Sequence, residues 1–188
     1  INKDFGNKSD CLPLDEFVSV TEDRMAKVKK LLERYHAKNL EGKQRENGFV
    51  TTDMTEGQLT ALCESEHGVV IAIDKNTNNV IGLLLGASWQ FLQPWPMFDY
   101  MASILKEYSF QDRALDAKSS YQYGPICIAE EFCGCGIGEQ LLAYQRRIFA
   151  ARYPVIVTFV NELNPRSYAF HTRNKFEDIG FFNFNGNK

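Results

Sequence analysis

At 188 residues, 44% of them apolar and 24% charged, the chain has the length and composition of one globular domain with a sizeable core. Its net charge of -3 argues against a general nucleic-acid binder, whose surface would be basic. No apolar run approaches the ~20 residues that a membrane-spanning helix needs, and no basic-then-apolar leader opens the chain. Its ends, Ile1 and Asn185-Gly186-Asn187-Lys188, read as trimmed. The five cysteines, Cys11, Cys63, Cys127, Cys133 and Cys135, are odd in number and scattered, as expected of reduced thiols in a cytoplasmic protein. They lack paired C-x-x-C spacing and have no histidine close in sequence, so no metal site is expected.

In chain order, residues 1–14 carry little periodicity and read as a loosely held lead-in. Phe17 to Val20 is a short strand, and Thr21 is placed to cap a helix whose first turn holds Glu22 and Asp23. Met25, Val28, Leu31, Leu32 and Tyr35 recur on one face of that helix. Asn39 to Asn47 is polar and reads as a mobile loop. Thr55-x-x-Gln58 spells a capping box opening a second helix through Leu59, Leu62 and Cys63. Val69 to Ile73 and Val80 to Ala87 are apolar runs separated by turn residues, which predicts an antiparallel hairpin.

Trp89 to Tyr108 is dense in aromatics, broken by Pro94 and Pro96 and helical in its second half. If these aromatics line a pocket, Trp95 is the residue to test there. Gln111 to Ser120 reads as a loop. Tyr123 to Arg152 holds a strand, a glycine loop and an amphipathic helix. Val155 to Val160 is a buried strand, Asn164-Pro165 a helix start of the N-cap-then-proline kind, and Phe176 to Phe184 a last strand. Hairpins combined with crossover helices imply a mixed sheet covered on both faces, a three-layer α/β fold.

The chemistry concentrates at Ile128-Ala129-Glu130-Glu131-Phe132-Cys133-Gly134-Cys135-Gly136-Ile137-Gly138. A strand feeding a glycine loop that opens a helix builds an anion site: glycines let backbone N–H groups approach, and the helix N-terminus adds unpaired donors and partial positive charge. A dinucleotide loop is disfavoured, because the third glycine of G-x-G-x-x-G would fall at Glu139.

This stretch resembles the Val-x-Pro-x-x-Arg-Gly-x-Gly-Ile-Gly loop of the GCN5-related N-acetyltransferases (GNAT superfamily). Asn164 to Phe176 is similar to that family's Asn-x-x-Ala/Ser-x-x-Phe/Leu-Tyr-x-x-x-Gly-Phe segment. The resemblance spans the order of elements over residues 1–188, while about thirty residues carry it at motif grade. It implies a mostly antiparallel sheet with a splayed central strand pair. It also implies acetyl-CoA as co-substrate and an amine, small-molecule or protein, as acceptor. The donor-binding residues so implied are Ile126, Cys127, Ile128, Cys133, Gly134, Cys135, Gly136, Ile137, Gly138 and Asn164. The N–H of Ile128 or its neighbour would stabilise the oxyanion of the tetrahedral intermediate.

Three positions depart from the family pattern: Cys133 where a basic residue or Gln opens the loop, His171 in place of Tyr, and Lys175 in place of Gly. His171 stands where the family places the residue that protonates the departing thiolate. As an imidazolium it would be a competent acid toward a thiol. Glu130, Glu162 and Tyr123 are candidates for the base that takes the amine proton, with Glu130 the first choice. The second reading is a module that keeps the fold and CoA but has lost catalysis, suggested by Cys133 and His171. A neighbouring copy that completes the open sheet edge would make the protein a homodimer.

Overall fold

The structure, a computed structural model, describes residues 9–11 and 22–185. The strand expected at Phe17 to Val20 and the cap at Thr21 lie outside them. A five-stranded sheet runs in the order β1-β2-β3-β6-β7 and a small hairpin, β4-β5, stands apart. The strands are β1 Ser9–Cys11, β2 Val69–Asp74, β3 Asn79–Ala87, β4 Ser109–Phe110, β5 Arg113–Ala114, β6 Ser120–Ile128 and β7 Val155–Val157. The helices are α1 Glu22–Arg34, α2 Glu56–Glu66, α3 Trp89–Leu92, α4 Pro96–Ile104, α5 Ile137–Phe149 and α6 Pro165–Arg173. All pairings in the large sheet are antiparallel except β6 with β7.

Helices cover both faces, which is why β2 and β3 are apolar without alternation. On one face Leu83, Leu85 and Cys127 pack with Met25, Val28, Leu31 and Leu32 of α1, Leu59 and Leu62 of α2, and Phe98 and Met101 of α4. On the other face Leu84, Tyr121 and Tyr123 pack with Ile137, Leu141, Leu142 and Phe149 of α5. Tyr121 stacks on Phe149 with ring centroids 4.2 Å apart.

Local rules account for the element starts. Thr55 caps α2 and both halves of its capping box with Gln58 form. Asn164 caps α6 by accepting from the Ser167 N–H, with Pro165 in the first turn. The segment 39–47, expected to be mobile, is held in two 3-10 turns, Ala37–Asn39 and Gly42–Asn47, with Arg45 donating to the carbonyls of Leu40 and Ala37.

Other expectations are corrected. Within the lead-in, Ser9–Cys11 pairs antiparallel with β2. Residues 109–114 form a hairpin around Gln111 and Asp112, whose φ values of 51° and 60° suit the tight turn. The strand expected over Val155 to Val160 ends at Val157, where its pairing with β6 stops. Phe176 to Phe184 is not a strand: apart from a single bridge residue at Phe184 it is irregular, held by side chains, with Phe182 near Phe159 and Tyr100 and the Tyr108 hydroxyl donating to the Phe181 carbonyl.

Candidate functional site

The site begins with a defect in β6. Leu84 pairs with Ile126 and Gly86 with Tyr123, so Gly124 and Pro125 together oppose the single residue Leu85. Gly124 takes φ 111° and Pro125 has no N–H to give. On the other edge of β6, pairing with β7 stops at Gln122 opposite Val157. The two parallel strands therefore splay apart just where the bulge lies.

The splay leaves backbone donors exposed to the gap. Ala129 donates its N–H to the Ile81 carbonyl at 2.8 Å, so its neighbour Ile128, by strand alternation, turns its N–H to the opposite edge. Ile126 does the same. The side chains of Ile126 and Ile128 are half-buried and pack toward α5. Cys127, expected to bind the donor, instead points into the α1 layer with its thiol 4.0 Å from the Leu31 carbonyl, and burial pushes that thiol up to about 12. It belongs to the core.

Beyond the strand, Cys133 turns its thiol back toward the carbonyls of Ala129 and Ile128 at 3.7 and 3.9 Å. The loop glycines then divide by role. Gly134 and Gly136 adopt φ 80° and 76°, and a Cβ on either would meet nothing within 4 Å. These two provide backbone geometry beside open space. Gly138 is different: a Cβ there would come 2.7 Å from Phe170 Cε2 of α6, so it serves helix packing. Ile137 is likewise buried, its side chain over Gly82, and only its backbone lies at the helix start. Cys135 is exposed. The first N–H groups of α5 have no intrahelical acceptor.

Positive charge reaches this loop from α6 rather than from position 133. Arg166 lies close enough to Cys133 for its charge to act on the thiol. Its guanidinium donates to Asn47 Oδ1 at 3.2 Å, and Asn47 Nδ2 donates to Glu130 Oε1 at 3.0 Å. Neither Asn47 nor Arg166 was singled out in the sequence; their link spans 119 positions and no local pattern announces it.

A narrow cleft of about 60 Å³ occupies the splay, lined by Thr51, Gln122, Gly124, Ile126, Thr158 and His171 among others. It adjoins a larger void of about 900 Å³ beside β7, and the two share Thr51, residues 158–161 and His171. Asn164 lines the cleft, but its amide is committed: Oδ1 caps α6 and Nδ2 donates to the Phe49 carbonyl at 2.9 Å. The same bond holds the loop at Gly48 to Thr52 against the cleft.

His171 is buried between Tyr123, Phe170 and Phe176, each ring nearly perpendicular to the imidazole. Its Nδ1 lies 2.7 Å from the Ser167 carbonyl, which can only accept, so Nδ1 carries the proton. Nε2 is buried with no hydrogen-bond partner and is an acceptor. Burial lowers the His171 pKa, only partly offset by that carbonyl. The imidazolium expected from the sequence is thus disfavoured, and the neutral ring offers a base.

Tyr123, a candidate base, is fully buried and burial pushes its phenol pKa far up, which removes the phenolate from reach. Glu130 is exposed, lines neither void, and is not brought to His171. Glu162 lines the larger void. Of the aromatics, Tyr108 lines that void, whereas Trp95 stacks on Phe91 with centroids 6.0 Å apart and lines neither. Among the described residues, no group of three or more His, Cys, Asp or Glu side chains converges as a metal site would require. No helix among them is long and apolar enough to cross a membrane.

No protein-family model matches the sequence, and a search of curated proteins finds no match. The fold, however, is shared with solved structures. PH1933 from Pyrococcus horikoshii OT3 superposes with a TM-score of 0.56 over 94% of this chain and 92% of its own, at 13% identity. AAC(6')-Iy, solved with the bisubstrate analogue CoA-S-monomethyl-acetylneamine, gives 0.55 over 87% and 90%, at 11% identity. An acetyltransferase of Trypanosoma brucei gives 0.51 over 94% and 96%, at 10% identity. The chain shares the fold of these structures, a GNAT-like fold: a mixed, mostly antiparallel sheet, splayed at one parallel pair, with helices on both faces.

Proposed function

We propose that the protein transfers an acetyl group from acetyl-CoA to an amine. The observation that carries this reading is the junction of two donor arrays. One is the backbone N–H groups of Ile126 and Ile128 turned into the splay between β6 and β7. The other is the αL glycines Gly134 and Gly136 at the start of α5. A pyrophosphate suits the second array, where donors and helix dipole converge. A pantetheine arm suits the first, beside Ile126 and Ile128. Solved structures of the same fold include acetyltransferases, one of them holding a CoA bisubstrate analogue. The cleft of about 60 Å³ is narrow for such an arm, so entry requires the loop at Phe49 and residues 158–161 to part.

In the transfer, the amine nitrogen attacks the thioester carbonyl carbon and forms the new C–N bond. The carbonyl oxygen becomes an oxyanion, stabilised by the N–H of Ile128. The C–S bond then breaks and CoA leaves as a thiolate. His171 lines both voids, and its Nε2, unprotonated and buried until the cleft parts, accepts the proton that the amine loses and returns it to the thiolate. Glu162, Glu177 and Asp178 line the larger void and would attract an ammonium acceptor, which gives its first proton to bulk water before the neutral amine attacks.

A second reading, an acyl-CoA-binding module without turnover, is favoured by one observation: Cys133, at the position of the family's basic residue, turns its thiol inward. Release of free CoA from acetyl-CoA across a panel of primary amines separates the two. Amine-dependent release supports transfer, and binding without release supports the module.

A further inference from the structure

Two thiols stand in the glycine loop, one on each side of Gly134, and the transfer set out above uses neither side chain. Cys133 takes φ -66° and ψ 144° and Gly134 takes φ 80°, as in the central pair of a type II turn. Such a turn folds residue 135 back over the peptide of residue 133. The Cys135 thiol accordingly lies 4.0 Å from the Cys133 carbonyl oxygen. Two residues of extended chain span at most about 7 Å. A turn shortens that into the window of about 4.4–6.8 Å between Cα atoms that a disulfide needs.

The two thiols differ in access. Cys135 is exposed, whereas Cys133 is half-buried, its thiol held only by weak bonds to the carbonyls of Ala129 and Ile128. Burial pushes the Cys133 thiol up, with the charge of Arg166 acting against it. Cys135 is therefore the sulfur that an oxidant meets first, and Cys133 the one that follows. A Cβ on Gly134 would meet nothing within 4 Å, so the space between the two is open. Cys127 is near enough to Cys133 to feel its charge, but it is buried with its thiol toward the Leu31 carbonyl.

We propose that Cys133 and Cys135 are a reversible disulfide pair through which low-molecular-weight disulfides close the glycine loop. The Cys135 sulfur attacks an oxidant RSSR, forms a mixed disulfide and expels RSH, which carries off the Cys135 proton. Cys133 then attacks the Cys135 sulfur and expels a second RSH, which carries off its own. Two protein thiols are oxidised and one small disulfide becomes two thiols. The closed ring pulls Cys133 away from Ala129 and turns the N–H groups of the loop from the anion, so donor binding falls. So small a ring is strained and readily reduced, which makes the change reversible. The disulfide stands on the loop geometry alone, and its effect on binding rests on the acetyl-CoA reading.

The test treats the full chain with glutathione disulfide and maps its thiols by mass spectrometry. A disulfide between residues 133 and 135 is expected, and dithiothreitol reverses it. Acetyl-CoA affinity, measured by calorimetry, should fall on the order of tenfold on oxidation and return on reduction. Cys135→Ser forms no such disulfide, and the oxidant leaves its own affinity unchanged. Hydrogen exchange across residues 134–140 should change on oxidation of the wild type and not of Cys135→Ser. Thiols that stay free, a lasting glutathione adduct on Cys135, or pairing of Cys133 with Cys127 overturns the proposal. So does a 133–135 disulfide that leaves exchange and affinity as they were. Reduced protein that binds no acetyl-CoA removes the donor reading instead, and thiol mapping with hydrogen exchange still decides the disulfide.

Discussion

His171 donates from Nδ1 to the Ser167 carbonyl at 2.7 Å, and this single bond fixes the tautomer that leaves Nε2 bare beside Tyr123. A histidine one helical turn past a carbonyl is thereby made an acceptor rather than an acid. Replacing His171 with Phe is expected to lower kcat by about a hundredfold, the low end for loss of a general base, with little change in acetyl-CoA affinity. Steady-state kinetics with parallel calorimetry check it. Unchanged turnover removes His171 from the chemistry.

The same burial sets a pH dependence. The folded pKa of His171 is lowered by desolvation, so the unfolded chain takes up a proton near its ordinary value of about 6.5 before the folded chain does. Stability is therefore complete above that value and is lost as pH falls from there toward the lowered one. His36, lowered first by burial and then by Lys38, acts in the same direction. Thermal melts at pH 7.5 and 5.5 should show a fall in Tm that is smaller in His171→Phe, with the remainder traced to His36. Equal falls would contradict the assignment.

Gly136 and Gly138 should fail differently. Alanine at 136 must hold φ 76° in open space, costing about 1–2 kcal/mol, and it disturbs the donors of the loop. Alanine at 138 meets Phe170 and costs about 1–3 kcal/mol through overpacking. Phe170→Leu should relieve the second and not the first. Denaturant melts of the single and double variants measure this.

Asn164 has two jobs that substitution can separate. Asp at 164 keeps the cap on α6 and loses the donor to the Phe49 carbonyl, whereas Ala loses both. Ala is expected to cost about 1 kcal/mol more than Asp, the worth of a cap, or roughly 2–4 °C in Tm for a chain of this length. Hydrogen exchange at residues 48–52 should rise in both variants.

The cysteines offer a chemical check. Cys135 is exposed, and Cys127 is buried with its thiol pushed up to about 12. Among the four cysteines whose side chains are described, iodoacetamide should label Cys135 first, with CoA slowing it, and leave Cys127 untouched until the chain unfolds. Labelling of Cys127 in the native protein would contradict its place in the core.

What the sequence made legible was local. The capping box at Thr55, the Asn164-Pro165 start and the β2–β3 hairpin follow from residues within four or five positions of one another. The glycine loop was visible for the same reason, although its pattern could not tell Gly138, which makes room for Phe170, from the two αL glycines. The last strand was misread because the apolar content of Phe176 to Phe184 is used in side-chain packing against Tyr100, Tyr108 and Phe159 rather than in a ladder. The role of His171 turned on burial and on one carbonyl, and the bridge from Arg166 through Asn47 to Glu130 joins three distant segments. None of these has a signature in spacing alone.

The central claim is that the loop at Gly134 to Gly138 and the splay beside Ile126 and Ile128 together hold acetyl-CoA. Isothermal calorimetry of the full chain with acetyl-CoA addresses it most directly, with Gly136→Ala as the comparison. The account predicts one molecule bound per chain in the micromolar range, weakened on the order of tenfold by Gly136→Ala, which is what a loss of about 1.4 kcal/mol produces. No heat of binding at millimolar acetyl-CoA, or binding indifferent to Gly136→Ala, would contradict it.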